Sequence, residues 1–71
     1  MAVLRDVVEE ALFEARPYVE YYDKLRETVL KILKEAKDIE TFKKRLEEEI
    51  NRAGEPFKTD LKIFMQKFEM I

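Results

Sequence analysis

The chain has 71 residues, 46% of them hydrophobic and 42% charged, with 14 basic side chains against 16 acidic ones and a formal net charge of −2. This balance excludes a disordered tail and a membrane-spanning protein, and the absence of Cys and His removes disulfides, zinc sites built from those residues, and thiol or imidazole catalysis. At this length a chain forms a single domain, here residues 1–71, whose core is marginal unless a partner helps to complete it.

One Gly and two Pro leave little room for turns, and no segment keeps a period of two for more than a few residues. The periodicity predicts helices over 2–16, 18–37, 39–53 and 57–70. The expected fold is all-α, a compact bundle of three or four helices in antiparallel sequence, with short connections making consecutive helices neighbours.

In the first segment Leu4, Val8, Ala11, Leu12 and Ala15 fall on one side, with Asp6, Glu9, Glu10 and Glu14 mostly on the other. Pro17 must break or kink this helix from the second, because it lacks an amide donor and its ring clashes with the carbonyl four residues back. The second segment spaces Tyr18, Tyr22, Leu25, Val29, Ile32 and Ala36 by alternating fours and threes, the seam of a helix expected to be central to the fold.

Asp38 is positioned to cap the third helix, where Ile39, Phe42, Leu46, Ile50 and Ala53 form a narrower stripe. Gly54 follows as the natural left-handed residue, with Pro56 close behind. The fourth helix starts at Pro56 or at Asp60, with Thr59 as a competing cap. Its apolar face of Phe57, Leu61, Phe64, Met65 and Phe68 is expected to seal the groove between the second and third helices.

Little chemistry remains available. Ser is absent along with Cys and His, so nucleophile triads and His general bases are ruled out, and no cofactor is expected. The remote enzymatic reading is a Mg²⁺-dependent nucleotide hydrolase using Glu20 with Asp23 or Glu35 with Asp38, since carboxylates three apart on a helix share a face. No Glu-x-x-Glu pair accompanies them, and solvated surface acids explain them better.

Nucleic-acid binding is the alternative function, through Lys31, Lys34 and Lys37 on the second helix and Lys43, Lys44 and Arg45 on the third. Interleaved Glu27, Glu35, Glu40 and Glu47 to Glu49 dilute that potential and disfavour the reading. Tyr18, Tyr21 and Tyr22 beside Arg16, Lys24 and Arg26 offer a stacking platform, although two of the tyrosines belong to the expected seam and only Tyr21 is expected to be much exposed.

Phe13, Leu30, Ile63 and Met70 fall outside the apolar stripes. Four large hydrophobes off the core face of so small a protein point to a second buried surface. The leading expectation is therefore a non-catalytic protein-interaction module, a homodimer serving as a small subunit or adaptor, with another protein as a further partner. No stretch is apolar enough for a membrane, and the segment from Ala2 to Ala15 lacks the apolar run of a secretory signal, so a cytoplasmic location is expected. Abundant Lys and Glu with one Asn and one Gln point to a thermophilic source.

Overall fold

Helix boundaries follow from where the chain can and cannot continue its hydrogen-bond ladder. A computed structural model describes residues 3–71 and contains α1 (Leu4–Ala15), α2 (Tyr22–Glu35), α3 (Ile39–Arg52) and α4 (Phe57–Met70). The fold is all-α, and the described residues include no strand. The expected start of the first helix at residue 2 lies outside the described residues.

Pro17 breaks the chain outright. The Arg16 amide closes α1 on the Leu12 carbonyl, one 3-10 turn spans Arg16–Tyr18, and Val19 is extended at φ −109° and ψ 153°. The second helix consequently begins four residues later than its periodicity suggests, and Tyr18 drops out of the seam to become largely exposed. From Leu25 onward the seam is as expected, with Leu25, Val29 and Ile32 buried. Ala36 is extended, which ends α2 at Glu35 rather than at 37.

Asp38 caps α3 by accepting the Thr41 amide at 2.8 Å. Phe42 and Leu46 are buried, but Ile39 is 49% exposed because it lies one turn ahead of the point where the buried stripe begins. At the other end Ala53 is extended (φ −76°, ψ 146°) and Gly54 does not adopt the left-handed conformation. Extended backbone carries the chain clear of α3, and the reversal is made at Glu55 and Pro56, so no positive φ is needed. Pro56 stands just outside α4, and Thr59 is not a cap. Its amide and its hydroxyl both donate to Glu55 Oε1, at 2.9 and 2.6 Å.

The core gathers Val8, Ala11 and Leu12 of α1, Leu25, Val29 and Ile32 of α2, Phe42 and Leu46 of α3, and Phe57, Leu61, Phe64 and Phe68 of α4. Here the fourth helix, not the second, is central: it packs against all three others and most extensively against α1, its partner from the far end of the sequence. Two features explain the reversal. The buried face of α1 carries the small residues Ala11 and Ala15, which leave room for a bulky neighbour, and Phe64 and Phe68 meet Phe42 of α3 with ring centroids 5.1–6.3 Å apart. Such aromatic pairs add about 0.5–1.5 kcal/mol beyond their buried area. The pairing of α1 with α2 is slighter than any that α4 makes, so adjacency in sequence does not dictate adjacency here.

The radius of gyration, 10.9 Å, is that of a compact chain of this length, about 11 Å. The buried hydrophobic residues form one cluster within this chain.

Candidate interaction surface

A buried carboxylate organises the junction between the two halves of the chain. Asp60, in the first turn of α4, is only 2% exposed, and its Oδ1 and Oδ2 accept the backbone amides of Glu20 and Tyr21 at 3.1 and 2.9 Å. These amides lie on the link leading into α2, whose N-cap residue Tyr21 makes no side-chain capping bond. Asp60 thus fixes where Pro17, Tyr18 and Val19 emerge. Nothing local predicts this contact, but one signal was present: Asp60 lies on the apolar face of α4, between Phe57 and Phe64 at helical spacing.

The exposed aromatic surface grows out of that junction. Phe13 (71% exposed) and Tyr18 (63% exposed) share an open depression of about 470 Å³ with Glu14, Arg16 and Pro17. The Lys67 ammonium of α4 sits over the Tyr18 ring, 4.7 Å from its centroid. Ile63, Lys67 and Met70 follow at spacings of four and three, so half-buried Ile63 and exposed Met70 share the α4 face that Lys67 occupies. Phe13, Ile63 and Met70 are thereby linked through Tyr18 and Lys67. Leu30 is elsewhere, half-buried against the core.

What remains exposed of Leu30 forms, with Leu33, the floor of a second open depression of about 540 Å³, rimmed by Arg5, Lys31, Lys34 and Glu27. The described ion pairs are Arg26–Glu9 at 3.1 Å, Arg45–Glu35 at 3.5 Å and Arg52–Glu49, and none involves these rim residues. Arg5 joins Lys31 and Lys34 only through the tertiary fold, which is why the linear pattern did not include it.

The remaining basic candidates lie at the end of α2 and on α3. Lys37 is exposed beyond the end of α2, Lys43 is half-buried, Lys44 is exposed, and Arg45 is engaged with Glu35. The tyrosine platform is rearranged too: Tyr18 lies under Lys67, Tyr22 lies under the Arg16 guanidinium, 5.4 Å from its centroid, and Tyr21 is half exposed. Hydrogen bonding with the Tyr22 hydroxyl, then the hydrogen bond and the charge of Glu9, hold Arg26 above its ordinary pKa.

The carboxylate pairs considered for Mg²⁺ are not on single helices. Glu20 precedes α2 while Asp23 is in its first turn, and Glu35 ends α2 while Asp38 caps α3. Among the described residues no group of three or more acidic, His or Cys side chains is placed to hold a metal ion. No described helix is long and apolar enough to cross a membrane.

No curated protein and no solved structure matches the chain. A family model does match, over residues 5–71 and hence over nearly the whole sequence, and on that basis the protein belongs to the MJ1579 family.

Proposed function

We propose that this protein is a non-catalytic interaction module that self-associates as a dimer and serves as a small subunit or adaptor of a larger assembly. The observation that carries the reading is Phe13, a large apolar side chain 71% exposed on a chain whose core is already closed. Tyr18 in the same depression and Met70, 73% exposed, enlarge the apolar surface beyond the scattered single hydrophobes usual on a monomer. Closed two-fold dimers are the commonest assemblies of identical chains, and a further protein partner can use whatever surface the dimer leaves open.

Catalysis has no part in this reading, because the chain lacks Ser, Cys and His and its carboxylate pairs are split between elements. A cytoplasmic setting and a thermophilic source belong to the same proposal, carried by composition: 42% charged residues and a single Asn and Gln. A melting midpoint above the mesophile range of about 45–65 °C is expected.

Light scattering coupled to size exclusion tests the assembly. The wild type should have twice the chain mass at micromolar concentration, and Phe13→Glu should shift it to the monomer without loss of helicity, because association would bury an unpaired carboxylate. A strictly monomeric, cooperatively folded wild type across a wide concentration range would overturn the proposal.

A further inference from the structure

The knob and the hole that the fold leaves uncovered carry opposite charges. Phe13 projects from α1 among Asp6, Glu10 and Glu14, all exposed and none in an ion pair among the described residues. The depression of about 540 Å³ between α1 and α2 has the apolar floor of Leu30 and Leu33 and, at its rim, the cations Arg5, Lys31 and Lys34, none in an ion pair among the described residues. The minority charges also match, since Arg16 borders Phe13 while Glu27 borders the depression. On a molecule of net charge −2, this local excess of positive charge over apolar surface is complementary to the region around Phe13.

We propose that Phe13 of one copy docks on Leu30 and Leu33 of a second, with Glu10 and Glu14 meeting Arg5, Lys31 and Lys34, and that the exchange is reciprocal. The occupant is a second copy because one chain supplies both halves of the complement. Arg5 and Phe13 lie on the same helix eight residues apart, about 12 Å along its axis. A two-fold axis between them brings each knob opposite the other copy's hole, which closes a dimer instead of opening a filament. This pairing rests on the self-association reading and deepens it by naming the contacts.

Charge reversal tests it on the full chain. Glu10→Lys with Glu14→Lys makes knob and hole both positive, and Arg5→Glu with Lys34→Glu makes both negative; all four positions are exposed, and circular dichroism melts will verify folding. Each double variant alone should self-associate about tenfold or more weakly than wild type, since like charges then face one another. Mixed in equal amounts, the two should recover a dimer, because both reciprocal contacts again pair opposite charges. If the wild type dimerises and the double variants dimerise equally well alone, or if their mixture stays monomeric, this pairing is overturned while self-association stands. If the wild type never dimerises, both fall together.

Discussion

Two aspartates secure the entries to helices in this molecule, one from three residues away and the other from about forty. Asp38 caps α3 by accepting the amide of Thr41, in the open, at the position where a sequence reader looks for a cap. Asp60 holds the amides of Glu20 and Tyr21 from a different helix and is buried while doing so. The two contacts use the same chemistry, carboxylate oxygen to backbone amide, and differ in what water can do. Around Asp38 water can replace a lost partner. Around Asp60 the carboxylate is shielded, and it must be present for the link after Pro17 to be held against α4.

The largest effect should therefore come from Asp60. Asp60→Ala removes two charge-assisted hydrogen bonds and strands two partly buried amides, an expected loss of about 2–4 kcal/mol in chemical denaturation. Asp60→Asn keeps one good acceptor and should lose less. A loss below about 0.5 kcal/mol for Asp60→Ala would mean that solvent substitutes freely, and the distinction between the two aspartates would collapse.

Asp38→Ala should lower the melting temperature by clearly less than Asp60→Ala, and hydrogen exchange should show the loosening confined to the first turn of α3. Its pH dependence sharpens the comparison. The Thr41 amide holds the Asp38 carboxyl below its ordinary pKa, and the Thr59 hydroxyl does the same for Glu55. A depressed folded-state pKa contributes stability above the unfolded carboxylate range and loses it as pH falls through the folded value. The gap between wild type and Asp38→Ala should accordingly shrink on acidification below about pH 4. A gap that stays constant or widens there would show that the ionised cap is not its source.

The smallest effect tests the other end of α3, where no side chain holds the backbone. Gly54 has no positive φ, and an added Cβ would meet nothing within 4 Å. Gly54→Ala should stabilise by about 0.4–1 kcal/mol by restricting the unfolded chain. Destabilisation would place Gly54 in the left-handed conformation that its position after α3 first suggested.

Local patterning determined much of this protein. The period of apolar residues located the buried faces of α1, α2 and α4, because a helix buries one stripe whatever it packs against. Asp38 was legible because a cap acts within four residues, and the break at Pro17 was legible as a break or kink because the missing amide is a property of the residue itself. Tertiary structure alone decided that α4 is the hub, that α1 finds its main partner there, and that α2 starts at Tyr22 and not at Tyr18. Those outcomes depend on Ala11 and Ala15 admitting bulky neighbours and on Asp60 reaching across 39 and 40 residues to two amides. The candidate surface divides in the same way: Phe13 and Met70 stood out as apolar residues off the stripe and Tyr18 reaches Phe13 across the local turn at Pro17, whereas Arg5 meets Lys31 and Lys34 only because the chain folds back on itself. Periodicity records which face of a helix avoids water, but not which face of another helix lies opposite, and the latter is settled by side-chain volume and by the few polar contacts that fix how the elements meet.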